Sequence, residues 1–97
     1  MIILVKYIND ELLSIDPVEY DDLESHIRNE IQLMSYSYYN DTYNDTYNGI
    51  FQESIYIDTD YIETIENIFT EVSKDVIKWL KLYNRSNTMK NILSNEN

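Results

Sequence analysis

The sequence predicts an α+β fold, in which a small antiparallel sheet packs against two helices, the C-terminal one long. An apolar run opens the chain, a Tyr-, Thr- and Ile-rich segment occupies its middle, and a long stretch of helical periodicity fills its second half. The chain has 97 residues, 43% of them hydrophobic, which is enough for one domain with one core. An all-α bundle is the alternative.

The first predicted element is a strand over Ile2–Ile8, which would be the N-terminal strand of the sheet. Its sequence, IILVKYI, is apolar and rich in β-branched residues, and the polar residues Asn9 and Asp10 follow it. Such a run is typical of a strand that is buried on at least one face.

A helix is predicted over residues 17–34. Asp16 can cap it, Pro17 suits a first helical position because it has no amide hydrogen, and Glu19 completes a capping box. Carboxylates flank the apolar stripe, so we expect an acidic solvent-facing side. The apolar side chains that recur every three or four residues are Tyr20, Leu23, Ile27, Ile31 and Met34.

Residues 36–57 are predicted to form a β-hairpin. Asn48-Gly49 has the composition of a turn with positive φ at both central residues. Just before it, the tetrad Asn-Asp-Thr-Tyr occurs twice in tandem. We expect the tyrosines of the two copies to lie on one face of the hairpin and the aspartates on the other. These residues are Tyr43 and Tyr47, and Asp41 and Asp45.

A second helix is predicted over residues 60–83, with Asp60 as its cap and Glu63 completing a capping box. Its apolar stripe is wide, so we expect it to cover the sheet and to leave area for a second contact, such as a homodimer through this helix. The compact domain is predicted to span residues 1–83, and a polar tail residues 84–97.

The charge of the chain restricts its partners. There are 18 acidic and 7 basic residues, and the formal net charge is −11. Such an excess disfavours direct contact with nucleic acid or with an anionic membrane, and it favours a basic protein as partner. Most of it lies in residues 1–63, which hold 14 of the acidic and 2 of the basic residues. The apolar start is too short for a signal peptide or a membrane span, so we expect a cytoplasmic protein of a bacterial host.

Catalytic, cofactor and metal sites have little support in the sequence. The chain contains no Cys, which excludes thiol chemistry and Cys-based metal centres. Asp22, His26 and Glu30 are spaced by four, so on one helix they would share a side. One imidazole with two flexible carboxylates is a weak ligand set, and no catalytic motif is present. We therefore predict a protein that is not an enzyme and that has no cofactor and no metal site.

In length and acidity the whole chain resembles small phage-encoded inhibitors such as anti-CRISPR and anti-restriction proteins, although the likeness is compositional and involves no shared motif. It implies an inhibitor that binds the DNA or PAM site of a host defence nuclease, presenting carboxylates where DNA presents phosphates. The alternatives are an immunity or antitoxin protein against a basic toxin nuclease, a homo-oligomeric scaffold, and an acidic face that serves only solubility. The residues expected to contact the partner are Asp21, Asp22, Glu24, Asp41, Tyr43, Asp45 and Tyr47.

Overall fold

The computed structural model describes residues 1–43 and 49–95, and it places the side chains of residues 1–40 and 49–86. It has a four-stranded antiparallel sheet with helices packed on both faces, so the α+β class is confirmed and the all-α alternative is wrong. The strands are β1 (Ile2–Ile8), β2 (Glu11–Val18), β3 (Tyr36–Tyr43) and β4 (Ile50–Asp58), in the spatial order β2-β1-β4-β3. The helices are α1 (Ser25–Met34), α2 (Ile62–Glu66) and α3 (Thr70–Asn95).

The predicted N-terminal strand is confirmed as β1, but the sequence analysis missed its hairpin with β2. The two strands are joined by Asn9 and Asp10, whose φ angles are 49° and 66°. Asn and Asp adopt this left-handed region more readily than other residues with a side chain, which is why two of them can make so tight a turn. The polar pair therefore turns the chain back on itself rather than merely ending a strand.

The helix predicted over residues 17–34 is wrong in its first half. Asp16 and Pro17 belong to β2, a short 3₁₀ turn follows at Tyr20–Asp22, and α1 begins only at Ser25. A proline is acceptable in β2 because this strand lies at the edge of the sheet, where a missing amide hydrogen breaks no ladder on the open side. Asp16 and Pro17 are thus typical of a helix start but belong here to an edge strand, where a proline is tolerated.

The predicted β-hairpin is confirmed as β3 and β4, which pair from Tyr36 with Ile57 to Tyr43 with Ile50. Gly49 does not have a positive φ, so the predicted turn geometry is wrong at that residue. Asp41 and Tyr43 are two residues apart on β3, and positions two apart belong to the same face of a sheet. The prediction that the aspartates and the tyrosines lie on opposite faces of the hairpin is therefore wrong for Asp41 and Tyr43. Asn48, Asp45 and Tyr47 lie outside the described residues.

The helix predicted over residues 60–83 is divided into α2 and α3. The amides of Ile68 and Phe69 both donate to the carbonyl oxygen of Ile65, at 3.0 and 2.7 Å, which ends α2. Asp60 is not the cap of α2, because it lies in a 3₁₀ turn, Thr59–Tyr61, that precedes this helix. Asp58 caps that turn, since its Oδ1 accepts from the amide of Asp60 at 3.1 Å. The backbone of α3 then continues past residue 83, since neither Gly nor Pro follows to stop it.

The central strands β1 and β4 supply most of the core on one face of the sheet, and β1 also contributes to the core on the other face. On one face, α2 and α3 cover Ile3, Val5, Tyr7, Ile55 and Ile57, with Ile65 and Val76 as the buried helix residues. On the other face, Ile27 and Ile31 of α1 cover Ile2 together with Leu23, which lies just before this helix. Burying one such aliphatic side chain is worth about 1.5–3 kcal/mol, so these contacts hold the three layers together.

The α3 layer crosses the sheet obliquely. Phe69, just before α3, packs on the rings of Tyr36 and Tyr38 of β3, with centroids 5.2 and 5.8 Å away. Farther along the helix, Trp79 lines a groove with Leu12 of β2, at the opposite edge of the sheet. The helix therefore begins over one edge of the sheet and leaves it over the other.

Candidate functional site

Carboxylates from three separate parts of the chain meet around one tyrosine, at the end of the sheet where β1 turns into β2. The depression there has a volume of about 310 Å³ and is lined by Tyr7, Asp10, Glu53, Glu71 and Val72. Asp75 joins the group from the next turn of α3, where it accepts a hydrogen bond from the Tyr7 hydroxyl. We call Asp10, Glu53, Glu71 and Asp75, together with Tyr7, the Tyr7 cluster.

Each carboxylate is positioned by the local structure that carries it. Glu53 on β4 is the cross-strand partner of Tyr7 on β1, so the pairing register places the two side chains next to each other. Glu71 and Asp75 are four residues apart on α3, which puts them on the same side of that helix. Asp10 belongs to the tight turn that follows β1. The antiparallel sheet and the oblique α3 together bring these acidic side chains to one place.

Two phenols hold two of the carboxylates in place. The Tyr7 hydroxyl donates to Asp75 Oδ2 at 2.8 Å, and the Tyr38 hydroxyl donates to Glu53 Oε2 at 2.9 Å. Burial, these hydrogen bonds and the nearby negative charges raise the pKa of both phenols above the ordinary value for tyrosine. Both hydroxyls therefore stay protonated at neutral pH and remain hydrogen-bond donors to the carboxylates.

The cluster carries an excess of negative charge. In the described part of the chain, the one cationic group within ion-pair distance of these four carboxylates is Lys74, whose Nζ lies 3.3 Å from Glu71 Oε1. Both partners of this pair are largely exposed, and an exposed pair of this kind contributes at most about 1 kcal/mol. Among the described residues, no three His, Asp or Glu side chains are close enough together to hold a metal ion.

A second depression lies at the opposite end of the sheet, near the residues where β1 begins and β4 ends. Its volume is about 390 Å³, and its polar lining residues are Tyr20, Gln32, Ser35, Asp58 and Tyr61. The Gln32 amide donates to the hydroxyl of Tyr20, which links α1 to the 3₁₀ turn after β2. This end of the sheet thus also combines tyrosine with aspartate.

The structure distributes the predicted contact residues over both ends of the sheet. Asp21 and Asp22 are exposed in the 3₁₀ turn, immediately after the Tyr20 that lines the second depression. Asp41 and Tyr43 lie in β3, in the half that pairs with the first residues of β4, and so at the same end of the sheet as the Tyr7 cluster. Asp45 and Tyr47 fall outside the described residues. Those of the predicted residues that the structure describes therefore lie at both ends of the sheet.

Glu24 lies at the start of α1, next to the only histidine of the sequence. Its Oε2 is 3.4 Å from His26 Nδ1. Burial raises the pKa of the Tyr56 hydroxyl, and the nearby charge of Glu24 raises it further. Asp22 precedes α1, so the prediction that Asp22, His26 and Glu30 share one side of a helix is wrong. Glu30 instead accepts hydrogen bonds from the buried Ser37 hydroxyl and from the hydroxyl of Tyr39, at 3.4 Å in the second case. Through these hydrogen bonds Glu30 connects α1 to β3.

Sequence reasoning missed the whole Tyr7 cluster. The acidic pair Glu71 and Asp75 was visible as an i, i+4 spacing beside an apolar helix stripe. Nothing in the sequence pattern, however, pairs Tyr7 with Glu53, because that neighbourhood depends on the register of β1 against β4. The site exists only once the two hairpins have come together.

Comparisons with known proteins identify no relative of this chain. No family model, no curated protein and no solved structure matches the chain. Within the described ranges, no helix is both long and apolar enough to cross a membrane.

Proposed function

We propose that this protein is a non-enzymatic inhibitor that binds the basic nucleic-acid site of a host defence nuclease, such as a CRISPR effector or a restriction enzyme. The observation that supports the proposal is the Tyr7 cluster, in which four carboxylates gather around one depression and exceed the cationic charge beside them. An acidic depression of this kind suits the ammonium or guanidinium group of a Lys or Arg side chain.

The physical basis is the competition between two anions for one cationic cleft. Duplex DNA carries a negative charge about every 1.7 Å of its axis, and proteins neutralise its phosphates with Lys and Arg. A protein with a net charge of −11 offers such a cleft a comparable field. Occupying the cleft excludes DNA and inhibits the nuclease without any chemical step.

The phenols of the cluster lower the cost of binding. Tyr7 and Tyr38 each fix one carboxylate before any partner arrives, so fewer rotamers are lost when a cationic side chain enters. The Tyr7 ring is itself buried, with 8% of its surface exposed, and cannot swing away. The hydroxyl groups therefore position the carboxylates, and the carboxylates contact the partner.

The test uses two double variants that remove the same amount of charge. E53Q/E71Q neutralises two carboxylates of the cluster and keeps side-chain shape, and the amide oxygen introduced at position 53 can still accept from Tyr38. E63Q/E66Q neutralises two exposed carboxylates on α2, outside the cluster, and is the matched control. Wild-type protein is immobilised and exposed to a lysate of a low-GC bacterium, and retained nucleases are identified and purified for affinity measurements with all three proteins.

Loss of contacts to two carboxylates at a desolvated interface costs about 2 kcal/mol or more, which is a decrease in affinity of about 30-fold. We expect this loss for E53Q/E71Q, and a change below about twofold for E63Q/E66Q. Duplex DNA should displace the wild-type protein from its partner, and an excess of the protein should stop the nuclease from cleaving DNA. Equal losses for both variants, or binding that DNA does not disturb, would contradict the proposal. A toxin nuclease among the retained proteins would make the antitoxin alternative the correct one.

A further inference from the structure

We propose that a second copy of this chain docks on the apolar groove between β2 and α3. The groove has a volume of about 310 Å³, and Asp75 and Lys78 are its only charged lining residues within the described part of the chain. Three of its leucines are unusually exposed: Leu12 at 45%, Leu13 at 58% and Leu82 at 61%. The apolar lining residues are Leu12, Leu13, Ile15, Trp79 and Leu82. A groove with this lining is unfavourable in water and favours a protein contact.

The free edge of β2, which lies next to the groove, also favours contact with a second molecule. β2 is the first strand in the order of the sheet and is hydrogen-bonded to β1 alone among the described strands. Its other edge presents backbone amides and carbonyls that a strand of another molecule could satisfy. The groove and the free edge lie side by side, so one contact can cover both.

The path of α3 also leads towards a neighbouring molecule. This helix has 26 residues, a length of about 39 Å, and it leaves the sheet over the β2 edge. Trp79 and Tyr83 still stack on each other at 4.8 Å, but Asn84, Arg85 and Ser86 beyond them are exposed. The longest dimension of the molecule, 58 Å, is nearly twice the next one. The end of α3 thus extends beyond its own sheet, where a second molecule can pack beneath it.

The charges around the groove select a second copy over other partners. The β2 wall carries the exposed Glu11 and Asp16. The exposed charges of α3 near the groove are Lys78, Lys81 and Arg85, whereas the carboxylate that lines it from α3, Asp75, is half-buried and hydrogen-bonded to Tyr7. In a twofold pair the same patch meets itself, so the acidic β2 wall of each copy faces the basic α3 wall of the other. A basic protein, such as the partner proposed above, would be repelled by α3. The groove and the Tyr7 cluster share Asp75, but they differ in the charge of the partner that each accepts.

The experiment measures the mass of the full chain by light scattering and sedimentation over a wide range of concentrations. We expect a monomer–dimer equilibrium. L13D/L82D should raise the dissociation constant of the dimer by at least about tenfold, because it places four aspartates in an apolar contact. Leu33→Asp is the matched control, since Leu33 is 84% exposed on α1, which covers the other face of the sheet. Circular dichroism confirms that each variant is folded.

Charge reversal tests the orientation of the two copies. Glu11→Lys and Lys78→Glu should each weaken the dimer, and the double variant should recover most of the affinity. A wild-type chain that stays monomeric at every concentration, or a dimer that Leu33→Asp dissociates and L13D/L82D does not, would overturn the inference. The nuclease proposal is tested separately, because E53Q/E71Q should leave the dimer intact and L13D/L82D should leave nuclease binding intact.

Discussion

The hydroxyl of Tyr7 couples the stability of the fold to the candidate site, and Tyr7→Phe isolates its contribution. The ring of Tyr7 is buried among the core side chains, so phenylalanine fills the same space. What the substitution removes is one hydrogen bond, from the hydroxyl to Asp75 Oδ2 at 2.8 Å. The change therefore measures a single interaction without opening a cavity in the core.

The size of the effect follows from the acceptor. A hydrogen bond to a charged group contributes about 1.5–3 kcal/mol. Asp75 is partly exposed, so in the variant water can donate to its carboxylate and offset part of the lost hydrogen-bond energy. We expect Tyr7→Phe to lower the free energy of unfolding by about 1–2 kcal/mol at neutral pH. For a domain of this size that corresponds to a decrease of roughly 4–16 °C in Tm.

The effect should also depend on pH, in a direction that the raised pKa of Tyr7 determines. Above about pH 10 this tyrosine ionises in the unfolded chain but stays protonated in the folded one, so the folded state binds one proton more. The contribution of the hydroxyl to stability is therefore complete below about pH 10. It is lost at about 1.4 kcal/mol per pH unit as the pH rises further. The advantage of wild type over Tyr7→Phe should thus shrink above this pH and vanish at about pH 11.

Urea unfolding followed by the fluorescence of the single tryptophan, Trp79, measures this difference from about pH 8 to about pH 11. Tyr61→Phe is the control, because Tyr61 is 55% exposed, and it should change the free energy of unfolding by less than about 0.5 kcal/mol at neutral pH. A difference between wild type and Tyr7→Phe that stays constant with pH would refute the reasoning, and so would one that grows.

Four further outcomes test the structure and the proposed binding. Ile55→Ala removes a fully buried side chain and should lower the free energy of unfolding by about 2–5 kcal/mol in urea titrations; a loss below about 1 kcal/mol would mean that this strand is not central. Ser35→Gly should raise Tm, because Ser35 ends α1 with a φ of 68°, which glycine adopts without strain; an unchanged or lower Tm would contradict that geometry. The affinity for a basic nuclease should fall steeply between low and physiological salt in titration calorimetry, and a flat response would indicate an apolar contact instead. A chelator should leave Tm unchanged, and a decrease of several degrees would reveal a metal site.

Local sequence signals predicted some elements well and others poorly, for physical reasons. β1 was predictable because an apolar run between polar residues has few other ways to be buried. The 17–34 helix was overextended because Asp16-Pro17 suits both a helix start and an edge strand, and only the pairing with β1 decides between them. The division between α2 and α3 was invisible, since Asn67 and Ile68 interrupt the helix without Gly or Pro.

The candidate site was less predictable than the fold. Composition and charge indicated an acidic protein, but they could not show which carboxylates meet. The Tyr7 cluster depends on the register of β1 with β4 and on the oblique path of α3, and neither follows from periodicity. Residues chosen for being acidic and near a tyrosine in sequence, such as Asp21 and Asp41, lie at different ends of the sheet.

The order of the strands has a consequence for how the protein folds. Each outer strand belongs to a local hairpin, whereas the central ladder joins residues 2–8 to residues 52–58 across half of the chain. Local hairpins form within microseconds, but the central ladder must first overcome the entropy of closing a long loop. We therefore expect this ladder to form in the rate-limiting step, and the acidic cluster to be assembled only in molecules that have completed it. Incompletely folded chains would then carry the full negative charge of the protein without its binding geometry.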